Sequence, residues 1–364
     1  MKKIRVLEIV TTRFAANGIS QYVLTHLDGL GGDIVCDVVA INEPDKELAA
    51  RVTARGGNLF VLPMRNKSPL AYIRKLKKII RLGKYDIVHA HGNSSTLLTE
   101  MIAAKSAGVP VRIPHAHNTR CKQKALHVLL RPFFNAAYTD GAACGRAAGR
   151  FLFPRNGFTV LKNGIDTERF RFDPAERARL REELHAEDKR ILLHVGSFNE
   201  QKNQTFLIKP FRDALEKDPQ LLLLLAGNGE RQSAVRAEAE RLGVKDKVVF
   251  LGRRDDIESL LSCADVFVMP SLFEGFPISL VEAQCAGLPC LVSDAVTHDA
   301  AILQTVRFLE PDPKVWTRAI LNSRLLEYDR TTACEIVRGA GYDREETAGE
   351  LGAFYRKLAG GEEA

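Results

Sequence analysis

Short apolar segments alternate with helical stretches along the whole 364-residue chain, and this alternation limits the folds that it can adopt. Most of the segments are continuous runs of valine, isoleucine and leucine. Such runs are typical of strands that helices cover on both faces, as in parallel sheets. Two sets of about six strands predict an α/β protein with two doubly wound sheets rather than one. The predicted strands are KIRVLEIV, DIVCDVVAI, NLFVLP, DIVHAH, VRIPHAH and FTVLKN, then RILLHVGS, LLLLLAG, KVVFLG, DVFVMPS and PCLVSD.

The stretch LKNGIDTERFRFDP marks the predicted boundary between the two sheets. Its Asn-Gly and Asp-Pro pairs favour turns, the apolar pattern pauses, and a new helix is expected near Pro174. Further helices are predicted over 203–217, 229–242 and 256–263. Open parallel sheets bind ligands beyond the carboxyl ends of their strands, so we expect the chemistry in the loops that follow the strands. Two such sheets facing each other would enclose a cleft.

The composition is that of a globular protein with enough apolar mass for two cores, at 45% hydrophobic and 27% charged residues. No run approaches the ~18 uninterrupted apolar residues of a membrane-spanning helix. The basic start MKKIRVLEIV contains Arg5 and Glu8, so it predicts a first strand and not a signal peptide. The seven cysteines are odd in number, scattered and without CxxC spacing. We expect free, buried thiols in a reducing cytoplasm, without a disulfide framework or a zinc site.

The charge is divided unevenly along the chain. Residues 1–170 hold 26 Lys and Arg but 12 Asp and Glu, a net charge of +14, whereas the remainder has a net charge of −7. A basic half joined to an acidic half indicates that the first half meets an anionic partner. Nucleic acid is not the expected partner, because no basic module with interleaved aromatic residues is present.

The most basic part of the first half is a predicted helix over 69–84, in SPLAYIRKLKKIIRLGKYD. Its apolar residues are predicted on one face and its basic residues on the others. Two interpretations are open: a solvated helix packed on the sheet, or a helix in peripheral contact with anionic lipid. The apolar residues are Leu70, Ile73, Leu76 and Ile80, and the basic residues are Arg74, Lys75, Lys77, Lys78 and Arg81.

Two glutamates border a turn and a predicted helix in SLFEGFPISLVEAQCAGLP, directly after the strand DVFVMPS. Glu274 opens the turn, and Gly275 permits a close approach of the backbone to a ligand. Pro277 suits the first turn of a helix, and Gly287 suits its end near Ala286. The stretch therefore predicts a short helix whose beginning lies at the carboxyl end of a strand.

The amides near Phe276, Ile278 and Ser279 are predicted at this helix N-terminus, which favours a phosphate. Eight residues separate the two glutamates, which leaves Glu282 about 80° from the direction of the first turn, so both carboxylates could border one pocket. A carboxylate can accept two hydrogen bonds from a vicinal diol. The pattern predicts amides for a diphosphate with a glutamate on either side for sugar hydroxyls. The alternative makes Glu282 a surface helix residue and Glu274 a loop charge.

Several blocks, in order along the chain, resemble the retaining glycosyltransferases of family 4 (group 1 type), which have the GT-B fold. The stretch EGFPISLVEAQCAGLP looks like the family signature, and the ordered set is far more specific than any one motif. The other blocks are ANGISQYVLTHL, VLKNGIDTERF, VGSFNEQKNQTFLI, LLLLLAGNGERQ and VVFLGRRDDIESLLSCADVFVMPS. Together with RIPHAHNT, the set is similar to enzymes of bacterial capsular and exopolysaccharide assembly.

The resemblance implies two Rossmann-like domains that face each other across a cleft. An acceptor-binding domain is expected over 1–165 and a nucleotide-sugar donor-binding domain over 166–342. An amphipathic helix at about 343–360, in GYDREETAGELGAFYRKL, is expected to pack back on the first domain. The two halves would then form a hinged clamp that closes on the donor.

The resemblance also implies roles by position. Glu282 matches the residue that binds the donor ribose, and Glu274 matches the one that contacts hydroxyls of the transferred sugar. Lys202, in EQKN, matches the lysine that neutralises the donor diphosphate. Gly18 matches the first-domain glycine whose amide approaches the phosphate, although Asn17 replaces its usual glycine neighbour.

The chain departs from the family pattern after the strand-end Gly196, where Ser197 replaces the usual arginine. Arg253 or Arg254 could supply the missing cation. The implied catalytic residues are His117, Lys202 and Glu274, and the implied substrate-binding residues are Gly18, Ser197, Asn228, Arg253, Arg254, Gly275, Phe276, Pro277, Ile278, Ser279 and Glu282.

The pairs His89/His91 and His115/His117 each lie at the carboxyl end of a predicted strand, so the members of a pair project to one face. Four histidines could suggest zinc, but no carboxylate or cysteine with ligand spacing accompanies them in the sequence. A structural role is expected for most of them. The resemblance singles out His117, in HAHNT, as the histidine near the transferred sugar, with His115 as the alternative. His194 lies in an apolar strand and is expected to be a core residue.

The resemblance implies a retaining hexosyltransferase that moves a hexose or N-acetylhexosamine from a UDP-sugar to a glycan or polyprenyl-linked glycan. Lys202 and the helix amides would stabilise the leaving diphosphate. No side chain is a convincing covalent nucleophile, which favours front-face attack. No DxD-type metal site is present, so neither a cofactor nor a metal is expected. We expect a cytoplasmic protein, in contact with the inner face of the membrane if the basic helix binds lipid.

Two alternative functions are open at this stage. One is transfer to a small soluble sugar or sugar phosphate, and the other is a non-catalytic nucleotide-sugar-binding subunit. A dinucleotide-dependent dehydrogenase is not expected, because no GxGxxG follows the first strand.

Overall fold

The computed structural model forms two compact units. The structure describes residues 3–15, 17–44, 46–323 and 329–360. The first unit comprises Met1–Gly164 and Asp343–Ala364, and the second comprises Ile165–Tyr342. Each unit has one parallel sheet, as the continuous apolar runs predict.

The first sheet contains the six strands predicted in the first half of the chain and one more, Ala142–Ala143. Its strands are β1 (Ile4–Val10), β2 (Ile34–Ala40), β3 (Leu59–Val61), β4 (Ile87–Gly92), β5 (Val111–Ala116), β6 (Ala142–Ala143) and β7 (Thr159–Val160). Their order is β3-β2-β1-β4-β5-β6-β7. The two residues of β6 are too few to give an apolar run. The order reverses between β1 and β4, which makes the carboxyl ends of these strands a topological switch point.

The helices of the first unit begin with α1, which Asn17 caps by accepting hydrogen bonds from the amides of Ile19 and Ser20. The helices are α1 (Gly18–Gly29), α2 (Lys46–Ala54), α3 (Pro69–Gly83), α4 (Leu98–Ser106), α5 (Lys124–Asn135) and α6 (Arg146–Leu152). Helix α3 is the predicted basic helix.

The prediction that Leu70 shares the apolar face of α3 is wrong, because its side chain is 77% exposed. The buried residues of α3 are Tyr72, Leu76 and Ile80, which follow one another at intervals of four. Leu70 precedes Tyr72 by two positions and lies roughly 200° away around the helix. A large apolar side chain of α3 is therefore left on the surface.

The second sheet contains the five strands predicted in the second half and one more, Val306–Leu309. Its strands are β8 (Arg190–Val195), β9 (Leu221–Ala226), β10 (Val248–Gly252), β11 (Val266–Met269), β12 (Cys290–Ser293) and β13 (Val306–Leu309). Their order is β10-β9-β8-β11-β12-β13, so the switch point lies between β8 and β11. Strand β13 escaped prediction because the exposed Arg307 interrupts its apolar run.

The helices of the second unit include those predicted over 203–217, 229–242 and 256–263. They are α7 (Pro174–Glu183), α8 (Gln204–Leu215), α9 (Gln232–Arg241), α10 (Ile257–Cys263), α11 (Ile278–Cys285), α12 (Pro313–Asn322) and α13 (Arg330–Val337). Helix α11 ends two residues before Gly287, which has a φ of 68°, the left-handed conformation expected at a helix end.

The last helix of the chain, α14 (Arg344–Leu358), belongs to the first unit. It packs on α1, and its side chains of Leu351 and Tyr355 are buried in the apolar core of that unit. All seven cysteines are free, and six of them are buried, as predicted; Cys121 is half-buried.

Candidate active site

The loops that follow β8 and β11 are joined at the switch point of the second sheet. The Leu272 amide donates to the carbonyl of Gln201 at 2.8 Å, and the Asn203 side chain donates to the carbonyl of Pro270 at 3.2 Å. Asn203 itself has a left-handed backbone with φ of 53°, a conformation that asparagine tolerates better than most residues. These contacts fix the positions of the two loops relative to each other.

The two loops bring Lys202 and Glu274 together, two residues that sequence motifs 72 positions apart identified separately. The Lys202 Nζ donates to Oε1 of Glu274 at 2.8 Å, and the side chains are 16% and 9% exposed. Gln201 donates to the other oxygen, Oε2, at 2.9 Å. Glu274 therefore holds the lysine at the carboxyl edge of the sheet. Sequence analysis did not identify Gln201, because this uncharged residue of EQKN gives no signal of its own.

At this edge, the loop that follows β9 lies very close to the loop that follows β8, and a glycine makes this close approach possible. Gly227 has a φ of 136°, and a Cβ built there would lie 2.2 Å from the carbonyl oxygen of Gly196. No other residue could occupy this position without moving the backbone. Ser197 and Asn228, which the resemblance places at the donor, are both exposed on these loops.

The two arginines considered as replacements for the cation missing at Ser197 differ in their partners. Arg254 forms a bidentate pair with Asp256 at 2.7 and 2.6 Å, and this hydrogen bonding raises the pKa of the arginine. Arg253 is 55% exposed, and its Nε lies 3.5 Å from the exposed Asp255. Arg253 is thus the more accessible of the two cations.

Helix α11 presents unpaired backbone amides at its beginning. It starts at Ile278, one position later than the sequence suggested, and Pro277 is its N-cap residue with an extended backbone. The amide of Leu280 donates to the carbonyl of Pro277 at 3.1 Å. The amides of Ile278 and Ser279 have no hydrogen-bond acceptor among the residues that the structure describes. Such amides, together with the helix dipole, favour an anion.

In the turn before α11, the backbone is the part that faces the candidate site, because the aromatic side chain packs against the protein. Gly275 and Phe276 are both buried. The ring of Phe276 stacks on that of Tyr342, with centroids 5.5 Å apart and planes 13° apart. This packing holds the turn in place, and the Phe276 ring is not available to stack on a ligand.

Glu282 is a half-buried carboxylate of α11 without a side-chain hydrogen bond or ion pair to any described residue. Burial raises its pKa to about 7, and the charge of Arg169 only partly offsets the effect. A carboxylate removed from water without a partner is costly unless a ligand satisfies it. Its chemistry fits a donor of two hydrogen bonds, such as a vicinal diol. Arg169, which sequence analysis did not identify, donates to Glu258 at 2.8 Å.

In the first unit, His117 ends a chain of hydrogen bonds that begins at Glu8. The Nε2 of His91 lies 2.6 Å from Oε2 of Glu8, and its Nδ1 lies 2.8 Å from Nε2 of His117. Glu8 and His91 are fully or almost fully buried, whereas His117 is half-buried. Glu8 on β1 and His91 on β4 lie at the switch point of the first sheet. Sequence analysis missed Glu8, because an acid in an apolar strand gave no motif.

A second chain of hydrogen bonds reaches Glu8 through the C-terminal helix. Tyr355 of α14 donates to Oε1 of Glu8 at 2.5 Å, and its oxygen lies 2.5 Å from Nδ1 of His89. The Nε2 of His89 lies 3.0 Å from Nδ1 of His115. His115, the alternative to His117, is fully buried, so it is less suited to meet a ligand.

The fold places a carboxylate beside the histidines that no ligand spacing in the sequence reveals, because β1 brings Glu8 next to β4. Nitrogens of His89, His91 and His115 lie within 4.8 Å of one another, close enough for a metal ion. However, hydrogen bonds to Glu8, Tyr355 and neighbouring imidazoles already satisfy five of their six ring nitrogens. The network explains the cluster without an ion.

Gly18 and His194, two other residues discussed in the sequence analysis, lie in contrasting environments. Gly18 is exposed at the first position of α1. His194 is fully buried, with Nδ1 2.8 Å from the carbonyl of Val268 and Nε2 3.3 Å from the Gln204 amide, which confirms it as a core residue. Gly18 and His117 belong to the first unit, whereas all the other predicted site residues belong to the second.

Comparison with known proteins gives consistent matches over both units. The family model described as "Glycosyltransferase Family 4" matches residues 16–169, and the one described as "Glycosyl transferases group 1" matches residues 176–320. The putative glycosyltransferase EpsF of Bacillus subtilis (strain 168) is 35% identical over 324 residues, which cover 82% of this chain and 83% of that protein. A UDP-Gal:alpha-D-GlcNAc-diphosphoundecaprenol alpha-1,3-galactosyltransferase of Escherichia coli is 30% identical over 236 residues, 60% of each chain.

Solved structures agree on the fold. Anabaena HepE, crystallised in complex with UDP, has a TM-score of 0.78 at 18% identity, and the match covers 97% of this chain and 100% of that one. The predicted GT-B fold, with two Rossmann-like domains, is confirmed by this likeness and by the two parallel sheets. At this level of identity the likeness concerns the fold alone.

Proposed function

Because the chain belongs to the family of glycosyl transferases group 1, we propose that it moves a hexose or N-acetylhexosamine from a UDP-sugar to a glycan or polyprenyl-linked glycan. The acceptor class follows the E. coli relative, whose name specifies a diphosphoundecaprenol acceptor. The motif resemblance described above favours bacterial surface polysaccharide biosynthesis. The observation that carries the proposal is the set of functional groups at the carboxyl edge of the second sheet. There Lys202, the unpaired amides of Ile278 and Ser279, and the unpartnered Glu282 supply what a nucleotide-sugar diphosphate and ribose require.

The proposed reaction retains the configuration of the transferred sugar. As the bond to the sugar breaks, negative charge develops on the diphosphate, and Lys202 with the α11 amides stabilises it. Glu274, which Lys202 and Gln201 hold from both sides, meets hydroxyls of the transferred sugar. The acceptor attacks the face that the diphosphate leaves, and a phosphate oxygen takes the proton. The cations and amides of the protein fill the place of a metal ion, so we propose a metal-independent reaction without a cofactor.

The test is transfer by the purified protein. UDP-, GDP- and ADP-sugars are supplied with a lipid-linked glycan or with a soluble sugar acceptor, and the anomeric configuration of the product is read by NMR. We expect turnover with a UDP-sugar, retained configuration, and the same rate after treatment with EDTA. Stabilisation of the protein by a nucleotide-sugar without turnover on either acceptor would instead support a binding subunit, an alternative that the uncharged Ser197 favours.

A lipid-linked acceptor requires contact with a membrane, and the first unit has a surface suited to it. Helices α3, α4 and α5 pack as neighbours. Residues 65–135, which include them, contain 14 Lys and Arg but only two acids, one of which, Glu100, is buried and paired with Arg65. Large apolar side chains are exposed on the same helices: Leu70, Leu82, Ile102, Leu126, Val128, Leu129 and Phe133.

We propose that this surface, the α3–α5 surface, lies against anionic lipid at the cytoplasmic face of the membrane. Exposed apolar side chains with surrounding lysines and arginines are typical of helices that lie in a bilayer interface. Among the described residues, no helix has both the length and the hydropathy to cross a bilayer. A solvated helix packed on the sheet would account for the buried face of α3 but not for the apolar residues exposed on α5.

Replacing Leu129 and Phe133 with aspartate is expected to weaken binding to vesicles of phosphatidylglycerol at least tenfold. These side chains are 68% and 63% exposed, and burying each in lipid is worth roughly 1.5–3 kcal/mol. Flotation of the protein with vesicles measures the effect. Ile336→Asp, on α13 of the second unit at 44% exposure, is the matched control and should float like the wild type. Equal flotation of the double variant and the control would contradict the assignment.

A further inference from the structure

We propose that Glu8 and His91 are positioning residues that fix His117 in a single tautomer, with Nε2 protonated and Nδ1 bare. The bare Nδ1 is then the atom that accepts a hydrogen bond from a hydroxyl of the substrate. The inference rests on the proposed function in one respect, since it adds to that reaction the position near the transferred sugar that the family resemblance implies for His117. The tautomer itself follows from the hydrogen bonds of the first unit.

The ionised Glu8 determines which atom donates and which accepts in each hydrogen bond from Glu8 through His91 to His117. An ionised carboxylate can only accept, so the 2.6 Å contact between Glu8 and His91 requires a proton on Nε2 of His91. A neutral imidazole has one N–H, so Nδ1 of His91 carries a lone pair. The 2.8 Å contact from that nitrogen to Nε2 of His117 therefore requires the proton on His117. The remaining nitrogen of His117, Nδ1, is left bare.

The charges of the three groups agree with this direction. Burial alone would raise the pKa of Glu8, but the neighbouring His89 and His91 outweigh it and lower the pKa, so Glu8 is an anion. Burial lowers the pKa of His91 to about 4, with repulsion from His89 in the same direction. Burial also lowers the pKa of His117 well below its usual value. Both histidines are therefore neutral near pH 7, and each has one donor and one acceptor nitrogen.

The orientation of Glu8 is fixed from a second side. The Tyr355 hydroxyl donates to Oε1 at 2.5 Å, and Oε2 accepts from His91, so both oxygens are occupied by different elements of the fold. The Tyr355 oxygen also lies 2.5 Å from Nδ1 of His89, whose Nε2 lies 3.0 Å from Nδ1 of His115. The carboxylate cannot turn without breaking one of these bonds. Helix α14 thereby supports the tautomer of His117 at a distance.

The tautomer decides which substrate group His117 can meet. A bare Nδ1 accepts from a hydroxyl, which suits a sugar, whereas the other tautomer would present an N–H toward an acceptor oxygen. A histidine held in the wrong tautomer would place an N–H against the hydrogen of a sugar hydroxyl, which must then turn away. The network thus selects a hydroxyl donor before the substrate arrives, which reduces the cost of binding in the correct orientation.

The first experiment needs no change to the network. The protein is labelled with ¹⁵N at histidine, and two-dimensional spectra that connect ring nitrogens to ring protons distinguish the tautomers; a His117→Gln variant assigns the signals. At pH 7 we expect pyrrole-like Nε2 and pyridine-like Nδ1 shifts for both His91 and His117. A proton on Nδ1 of His117, or a charged ring, would overturn the inference.

The second experiment compares two substitutions of His91. His91→Leu removes the acceptor, so His117 should populate both tautomers and kcat should fall roughly tenfold or more. His91→Asn places an amide oxygen near the position of Nδ1, so it should restore the single tautomer and most of kcat. If His91→Leu leaves both the tautomer and kcat unchanged, the inference is wrong. Full turnover by His117→Ala would instead remove the proposed role of His117 in transfer, whatever its tautomer.

Discussion

Replacing Lys202 with alanine is expected to lower kcat/KM for sugar transfer roughly 100- to 1,000-fold, or about 2.7–4 kcal/mol of transition-state stabilisation. Lys202 is only 16% exposed and is held 2.8 Å from Glu274, so its charge acts in a shielded place where water weakens it little. Initial rates with the preferred UDP-sugar measure the effect. Lys202→Arg, which keeps the cation, should retain more activity than the alanine variant.

The loss must be separated from damage to the fold, since Lys202→Ala also leaves Glu274 without its main partner. The loss of the ion-pair partner of a buried charge costs on the order of 3 kcal/mol, so the melting temperature should fall as well. The double variant Lys202→Ala with Glu274→Gln removes that charge and should regain stability without regaining activity. Lys209→Ala, an exposed lysine of α8 paired with Asp213, is the matched control and should behave as wild type. Wild-type activity of Lys202→Ala would contradict the site assignment.

Replacing Glu282 with glutamine is expected to stabilise the protein at pH 8 by about 2–3 kcal/mol while weakening donor binding. The pKa of Glu282 is raised from 4.5 to about 7 by burial, so the folded protein favours the neutral acid. Below about pH 4.5 the group is neutral in both folded and unfolded chains and contributes no difference. As the pH rises from 4.5 through 7, the unfolded chain releases the proton more readily, and the free energy of unfolding falls. Glutamine is neutral throughout and avoids this loss.

Thermal melting at pH 5 and pH 8 tests the stability effect, which should be present at pH 8 and small at pH 5. Glu240→Gln, at an exposed glutamate of α9, serves as the control and should leave melting unchanged at both pH values. A Glu282→Gln variant that melts below the wild type at pH 8 would show that the carboxylate has a stabilising partner in the folded protein.

Donor binding should become stronger as the pH rises, whereas the charge of Glu282 lowers stability over the same range. The charged form accepts both hydrogens of a ribose diol, so affinity for UDP-glucose should rise up to roughly tenfold between pH 6 and pH 8 in the wild type. UDP-glucose is the suitable probe because its diphosphate does not titrate in this range. Glu282→Gln should bind more weakly at pH 8 and show little dependence on pH. Calorimetric titration at pH 6 and pH 8 measures how affinity changes with pH in the wild type and in the Glu282→Gln variant.

Much of the fold follows from local chemistry, and it could be predicted. Continuous apolar runs marked eleven strands of the two parallel sheets, because a strand covered on both faces has no polar side. The two strands that escaped, Ala142–Ala143 and Val306–Leu309, are short or interrupted by a charge. The exposure of Leu70 also escaped, because which apolar residue of an amphipathic helix is covered depends on the neighbouring elements.

The sequence by itself determined which residue types the candidate site contains and on which loops they lie. Turn glycines and helix signals are local, and they placed Glu274 after a strand and Glu282 on the helix that follows it, whereas the order of the motifs identified Lys202 through the family resemblance. Only the tertiary structure decided their partners. The Lys202–Glu274 pair spans 72 positions, and Tyr355 reaches Glu8 across 347 positions. Such contacts and the burial that shifts the pKa values of Glu8 and Glu282 arise when distant strands and helices pack, so no local pattern encodes them.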